Sequence, residues 1–581
     1  GEPVHNSWVI DQLQPGDVLV VDLYSKGEGG PFVGDNLATA VRTRTGAGAV
    51  IEGSIRDYQG IAQMTDLTIF CRSVHPSYLW ESTLLGMNLP VRIGGATVTE
   101  SPFPGYQLST CSYVCNLLLP EVVNDFDLKR HGYSVRPFDP QYFVPFPDGS
   151  YYMSFLDGRK TREQIAKFSQ KDVAAYDAYW EMWDRIVGRM RPLLLEPAPT
   201  WDQIESRFGG PQGQEDWRTL TRKSIAEVLD EYFESDQIKA PLCTGGVIGV
   251  NAGPMTPGTA YIKYHHLIGS LDGHQGAWGF VRGGMGSIAR ALAAAGREHG
   301  VEIATNSEVA EIECSGGTAT GVRTLDGRHY QADVILSNAD PTRTFLGMVG
   351  DSHLPREFAD GIKRLKVKGS VVKVLLALGE LPNFTALPGT EVGPQHTGGI
   401  VINPSVDYLE SAWDDCKRGH PSRRPFMDCY IQTATEDGLA PPGKHTMSLF
   451  VQYAPYDLAE GTWDERRDEI GANIIDTLAM FAPNVPGAIE HMQVLGPPDI
   501  ERIIGITGGN IFHGEMLPDQ MFGYRPVPGF SDYRSPIDRL YLCGSGAWPG
   551  GAVFGAPGRN CAVEVLRDLD LDPWQVASAA D

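Results

Sequence analysis

Six glycines fall within fifteen residues near the C-terminus of this 581-residue chain: Gly544, Gly546, Gly550, Gly551, Gly555 and Gly558, in "LYLCGSGAWPGGAVFGAPGRNCAVEVLRDL". An apolar strand over 540–543 precedes them and a helix beginning near Gly555 follows. Glycine lets backbone approach a ligand closely. A helix entered from such a loop turns its free N–H groups toward whatever anion sits there. A chain with this ending reads as an α/β architecture, with a ligand expected at the mouth of a strand–loop–helix unit. The pyrophosphate or the pyrimidine carbonyls of a flavin suit that site; a purely structural loop is the alternative.

Residues 281–341 read as more of the same layer. "VRGGMGSIARALAAAGREHG" is a glycine-rich turn leading into an alanine-rich helix that Gly300 ends. "VEIATNSEVAEIEC" follows as strand, then a hairpin turning at Asp326-Gly327, then a buried strand "DVILS". One loop such as "GGMG" is a weak signal, and a plain α/β layer reads equally well. Between these blocks, "SQKDVAAYDAYWEMWDRIVGRM" predicts a helix with a capping-box-like start at Ser169 and Asp172. Its apolar stripe is Val173, Tyr176, Trp180, Trp183 and Val187, expected to be ordinary core rather than a substrate wall. "TRKSIAEVLDEYFESD" predicts a second amphipathic helix through Ile225, Val228, Leu229 and Tyr232, and "VVKVLLALG" at 371–379 a buried strand.

The first hundred residues are organised differently. "DVLVVD" (17–22) and "GAVIEG" (48–53) predict buried parallel strands, with "DNLATAVRTRTG" a short helix between them. Asp35, Arg56 and Asp57 share the spacing D-x20-R-D, at the strand and helix ends where α/β layers bind ligands. Arg56 offers a fork for a carboxylate or enolate oxygen. Asp57 can hold Mg2+ directly or through water. Together these are the parts that stabilise the enolate of a 2-oxo acid during carbon–carbon cleavage; a surface turn pair at Arg56-Asp57 is the plain alternative.

Bulk properties exclude several classes. The 48 basic and 72 acidic residues leave a net charge of −24, which disfavours nucleic acid or an anionic membrane as partner. No apolar run approaches the roughly 18 residues of a transmembrane span. Cys111 and Cys115 stand four apart, but the nine cysteines offer no second pair for a zinc site. Their odd number reads as reduced thiols and a cytoplasmic location, with a targeting segment ahead of Gly1 left open. A small apolar substrate is the expected partner, and homo-oligomerisation is open.

Two resemblances sharpen these readings. "GDVLVVD", "GDNLATA", "GAVIEGSIRD" and "PVRIGGATV", over residues 12–98, resemble the 4-hydroxy-4-methyl-2-oxoglutarate aldolases and the related regulators of ribonuclease activity. That likeness implies Arg56 binding the pyruvyl portion, Asp57 the metal and Asp35 a water in proton transfer. The family's closing segment is missing, so this unit is a fragment. From residue 94 to 570, "GGATVTESPFPGYQLSTCSYV", "DLKRHGY", "GGNIFHGEM" and "LYLCGSGAWPGG" resemble the FAD-dependent phytoene-desaturase-like and amine-oxidase-like superfamily. This implies an α/β, glutathione-reductase-type FAD domain, split in sequence, with an inserted α+β substrate domain. It also implies FAD held by Gly94, Gly95, Val309, Asn338, Gly544, Gly546, Gly550, Gly551, Gly558, Arg559 and Asn560.

That superfamily opens with a strand, a G-x-G-x-x-G turn and a helix, followed by an acid for the ribose. The chain has no such segment ahead of Gly94; the aldolase-like stretch stands in its place. The two likenesses cross inside the shared string "GGATV", and neither domain is complete. That is the expected mark of accidentally joined gene fragments rather than an evolved bifunctional enzyme. The expected organisation is 1–98 aldolase-like, 99–280 FAD-domain remnant leading into the substrate domain, 281–350 second FAD layer, 351–500 substrate domain and 501–581 C-terminal FAD segment. The leading reading is an FAD-dependent oxidoreductase passing a hydride from an apolar substrate to flavin, impaired by the missing motif. A magnesium-dependent aldolase or decarboxylase comes second, and a non-enzymatic ribonuclease-regulator-like binding protein third.

Overall fold

A strand whose residues are all buried must lie inside a sheet with both faces covered, and Val371–Leu378 (VVKVLLAL) is such a strand along its full length. The computed structural model describes residues 19–22, 38, 40–43, 49–55, 69–74 and 98–573. The chain divides into two units, Gly1–Leu84 and Leu85–Asp581. In the first, β1 (Leu19–Asp22), β2 (Ala49–Ile55) and β3 (Ile69–Val74) form a parallel sheet in that order. Leu19 lies opposite Ala49, and Ala49 opposite Ile69. Residues 40–43 are helical between β1 and β2, so the expected βαβ unit is present. The sequence reading passed over β3, where Arg72 interrupts the apolar run "TIFCRSV".

The second unit runs through β4 (Tyr142–Pro145), β5 (Tyr151–Ser154), α1 (Gln170–Met190), α2 (Gly210–Arg222), α3 (Ile225–Tyr232), α4 (Thr259–Leu267), β6 (Gly279–Val281) and α5 (Gly286–Glu298). It continues through β7 (Val309–Ser315), β8 (Thr318–Thr324), β9 (His329–Gln331), β10 (Ile335–Ser337), β11 (Val371–Leu378), β12 (Gly399–Ile402), β13 (Phe426–Tyr430), β14 (His445–Gln452), α6 (Trp463–Ala479), β15 (Ile489–Leu495), β16 (Leu540–Leu542) and α7 (Ala556–Asp568). Seven strands make one sheet in the order β15-β11-β14-β13-β12-β4-β5. Its neighbours are antiparallel except for the parallel pair β12 and β4. Because strand side chains alternate, one face carries Val372, Val374, Met427 and Leu449 under Ile470, Ile474 and Leu478 of α6. The opposite face carries the row Lys373, Phe450, Asp428, paired residue to residue across β11, β14 and β13.

α1 starts as its sequence dictates: Ser169 Oγ accepts a hydrogen bond from the Asp172 N–H at 3.1 Å. The Asp172 carboxylate, buried, accepts from the N–H groups of Glu234 and Ser235 at 3.0 Å each. The core-facing side of this helix is Tyr179, Met182, Trp183, Ile186, Val187 and Met190, so Trp183 and Val187 of the expected stripe are core as read. Val173, Tyr176 and Trp180 are only half-buried. A second correction concerns 221–236. Thr221 and Arg222 finish α2, and Ser224 starts α3 anew with a reciprocal capping box to Glu227. Ser224 Oγ accepts from Glu227 N–H at 3.1 Å and Glu227 Oε2 from Ser224 N–H at 2.8 Å. Replacing Ser224 by Ala is expected to cost about 1 kcal/mol, read as a lower urea midpoint with an unchanged slope.

β7, β8 and β9 form an antiparallel sheet whose second hairpin turns at Gly327, φ +84°. The strand begins only at Val309; Asn306, at φ +51°, turns the chain before it. β10 pairs in parallel with β16, Ile335 opposite Leu540. This places "DVILS" beside the C-terminal strand that leads into the glycine loop and α7. No described helix is long and apolar enough to cross a membrane.

Candidate active site

The face of the seven-stranded sheet opposite α6 is not covered along its whole width. Over Lys373, Phe450 and Asp428 it opens into a cavity of about 540 Å3. Tyr176 and Trp180 of α1 form part of its wall while also packing against the core. Lys263 and His266 of α4 approach from another side, and residues 110–117 from a third. Ala552 and Val553 bring the C-terminal glycine loop to the same space. Ala552 holds φ +83°, a conformation that costs a residue with a Cβ about 1 kcal/mol or more and collects at ligand sites.

Lys373 has no hydrogen-bond partner for Nζ among the described residues; its ammonium lies 3.5 Å from the centre of the Tyr113 ring. Asp428 accepts through Oδ2 from Tyr430 at 3.2 Å and from Tyr113 at 3.4 Å, while Oδ1 is buried and unpartnered. Burial disfavours the charged form of each. It pushes the Lys373 ammonium down to about 7 and the Asp428 carboxyl up to about 7, each partly offset by the other's charge. Lys263, also buried, is pushed down to about 8. Thr110 Oγ1, Asn116 Oδ1 and Ser154 Oγ are further buried polar atoms without partners around the same cavity. Buried polar groups are nearly always paired, so these five atoms and a sixth, Trp180 Nε1, around one apolar space mark a site built for a polar-edged ligand.

The sequence did signal Lys373, as the one charged residue inside an otherwise apolar strand, but "VVKVLLALG" was read for its hydrophobicity alone. Asp428, in "FMDCY", and Tyr113 carry no local pattern. Three histidines in and after α4 take different places. His265 is buried against Phe512 and Phe554, with its pKa held well below the usual value by burial. His266 Nδ1 lies 2.8 Å from the Ile262 carbonyl and 3.0 Å from that of Gly245. His274 is exposed at the cavity rim.

Around the glycine loop the close approach that glycine permits is made to protein. A Cβ on Gly544 would fall 2.5 Å from Asn338 Oδ1, and one on Gly546 2.4 Å from Pro341 Cδ. One on Gly551 would fall 2.5 Å from the Phe512 ring, and Gly550, at φ +108°, sits on Met516. Arg525, wholly buried, donates to the carbonyls of Phe512, Glu515 and Ser545 and so fixes the loop's shape. Arg559 pairs with Asp125 at 2.6 Å. Asn560 Nδ2 donates to Leu194 O at 2.9 Å and to Tyr533 Oη at 2.8 Å, leaving its buried Oδ1 unpartnered. Gly558 lies within α7, and Val309 opens β7 opposite Thr324. Asp35, Arg56, Asp57, Gly94 and Gly95 lie outside the described residues.

The "GGMG" turn follows β6 and opens α5, yet its N–H groups are all engaged. Gly283 donates to Glu436 Oε1 at 2.7 Å, Met285 to Ser109 Oγ at 3.0 Å and Gly286 to Thr99 Oγ1 at 3.0 Å. A carboxylate in that position repels phosphate, so this turn is structural. For a flavin the fit is therefore two-sided. The unpartnered polar atoms and apolar walls of the cavity suit its ring and a substrate, whereas the one strand–glycine–helix turn among the described residues away from the C-terminus offers a pyrophosphate nothing.

Comparison with known proteins bears on the same point. A family model for flavin-containing amine oxidoreductases matches residues 109–495, and one for Aldolase/RraA matches residues 4–103. The rat protein called pyridine nucleotide-disulfide oxidoreductase domain-containing protein 2 is 39% identical over 512 residues, covering 82% of this chain and 88% of that protein. A lycopene-forming phytoene desaturase from Pseudescherichia vulneris is 22% identical over 444 residues, covering 75% of this chain and 83% of the desaturase. An oxidoreductase of known structure from Methanosarcina mazei shares the fold, with a TM-score of 0.50 at 16% identity over 95% of this chain and all of that one.

Proposed function

The chain belongs to the flavin-containing amine oxidoreductase family, and on that footing we propose that its cavity oxidises a largely apolar substrate carrying one polar group, at a C–N or C–C bond. The observation that carries this is the pairing of an apolar cavity with the unpartnered Lys373 Nζ and Asp428 Oδ1 on its sheet floor. FAD is the implied cofactor, and when bound it supplies the two-electron acceptor. Gly544, Gly546, Gly550, Gly551, Gly558, Arg559 and Asn560, with Val309 and Asn338, are the residues we assign to holding it, with Ala552 and Val553 bringing that loop to the cavity.

The chain's own groups then divide the work. Tyr176, Trp180 and Phe450 bind the apolar body and keep water out, which strengthens every electrostatic interaction inside. Lys373 and Asp428, both held near neutrality, can each give or take a proton at working pH, as acid–base catalysis requires. Anaerobic mixing of the FAD-loaded protein with a panel of long-chain amines and polyenes tests the reading. Bleaching of the flavin absorbance by at least one of them is expected, competitively blocked by an inert apolar filler of the cavity. Loaded protein that none of them reduces, and whose flavin spectrum none of them perturbs, would overturn it.

The match of residues 4–103 to Aldolase/RraA favours a second, separate reading for the first unit. That reading is magnesium-dependent cleavage of a 2-oxo acid through Asp35, Arg56 and Asp57, or binding of a protein partner without catalysis.

A further inference from the structure

Two lysines reach the wall of the large cavity, and their surroundings differ. Lys373 is sealed in near Asp428, and each charge partly offsets the other. Lys263, on α4, is 7% exposed, and its ammonium is not sealed from the cavity. It makes no hydrogen bond and has no carboxylate beside it among the described residues; the nearest acidic group is the Cys243 thiol, which burial pushes up and keeps neutral. Gly245, just past the helix Asp236–Thr244, leaves the ammonium its room, since a Cβ there would fall 3.2 Å from Lys263 Nζ and from its Cδ. Burial pushes the Lys263 ammonium down to about 8, so at neutral pH it is still charged. His266, one turn further along α4, adds no charge, because burial pushes its imidazolium down to about 4.

A buried charge without a partner costs stability that nothing in this protein restores. A ligand that brings the opposite charge restores it. The one acidic side chain on the cavity wall among the described residues is Asp428, whose Oδ2 already accepts from Tyr430 and Tyr113. No arginine lines the space, and around Lys263 the wall is apolar, with Leu242, Ile248, Trp180 and Ile511. A phosphate carries up to two charges and three acceptor oxygens and draws several donors. One ammonium set in an apolar wall matches instead an anion of one charge on an apolar body. Resting on the oxidoreductase reading above and deepening it, we propose that the polar group of the substrate is a carboxylate paired with Lys263, so that the cavity takes long-chain carboxylic acids in preference to amines and neutral hydrocarbons. The net charge of −24 repels anions at long range. A preference for the acid therefore reports a local cation and not the field of the whole chain.

Isothermal titration of the full chain at pH 7 with dodecanoate, dodecanol and dodecylamine, each below the concentration at which it aggregates, tests this without flavin or turnover. Dodecanoate is expected to bind at about one per chain, and about tenfold or more tighter than dodecanol. Lys263→Met keeps the length of the side chain and removes its charge. It is expected to weaken dodecanoate by about tenfold to a hundredfold and to leave dodecanol unchanged. Gly245→Ala crowds the ammonium while keeping its charge; it is expected to weaken dodecanoate and spare dodecanol, and it serves if Lys263→Met does not fold. Equal affinity for acid and alcohol, tighter binding of the amine in competition for the same site, or a preference for the acid that survives in the variants would each overturn the proposal. So would a loss of FAD affinity in Lys263→Met with dodecanoate unaffected, which would place the ammonium at the cofactor. Dodecanoate bound as expected to FAD-loaded protein, with no acid of any chain length reducing the flavin, would uphold the carboxylate site and count against the oxidation alone.

Discussion

Exchanging residues 1–93 for a strand–G-x-G-x-x-G–helix–acid segment is expected to raise the chain's affinity for FAD between about a hundredfold and a millionfold. An FAD site of this family grips the dinucleotide from two sides. The C-terminal loop and α7 are in place and held in shape by Arg525. The other grip is a glycine turn whose backbone N–H groups meet the pyrophosphate, followed by an acid for the ribose, and the sequence ahead of Gly94 contains neither. The "GGMG" turn cannot substitute, since Glu436, Ser109 and Thr99 take its N–H groups. Each hydrogen bond to a charged group contributes roughly 1.5–3 kcal/mol. Two or three of them amount to about 3–9 kcal/mol, at a factor of ten for each 1.4 kcal/mol. The chain as it stands should therefore leave a desalting column colourless or faintly yellow, and the exchanged chain yellow. Isothermal titration with FAD gives the ratio directly, and a stoichiometric flavin retained by the unaltered chain would refute the expectation.

What could be read from sequence was whatever is encoded locally. The strand–glycine–helix ending, the Ser169 start of α1 and the Asp326-Gly327 turn are each set by a few adjacent residues, and each stands in the fold as expected. α1 shows where local reading fails. Two apolar stripes share that helix: Tyr179, Trp183 and Ile186 are core, while Tyr176 and Trp180 face the cavity. Periodicity alone cannot rank two apolar stripes, because it reports amphipathicity and not which partner each stripe meets. The cavity was hidden for another reason. Lys373, Phe450 and Asp428 form one row only because β11, β14 and β13 pair in a particular register. Tyr113 joins them from more than 250 residues away in the chain. Register and long-range pairing are set by the fold as a whole, so no window of the sequence contains the site.

Replacing Lys373 by Met should lower substrate-driven flavin reduction by about a hundredfold to ten-thousandfold while leaving the chain at least as stable near neutral pH. A buried ammonium without a hydrogen-bond partner is a burden on the fold, and an apolar side chain of similar length removes it. The signature lies in the pH dependence of stability. Asp428 is raised from 3.8 to about 7 by burial. Its contribution is therefore fully present below about pH 4 and is lost as pH rises through 7. Lys373 is lowered from 10.5 to about 7 by burial. Its contribution is present above about pH 10.5 and is lost as pH falls through 7. The two limbs meet, so the pair makes the fold least stable near pH 7, by about 2–4 kcal/mol relative to either side. In Lys373→Met the alkaline limb vanishes. Asp428, no longer beside a cation, titrates at higher pH, so the acid limb extends upward. Asp428→Asn removes the acid limb instead, and the double variant removes both. Urea unfolding of the four proteins between about pH 5 and 9, taken as differences from wild type so that other groups cancel, resolves these limbs. An alkaline limb that survives in Lys373→Met would show that another group, with Lys263 the first suspect at about 8, is the buried amine that matters.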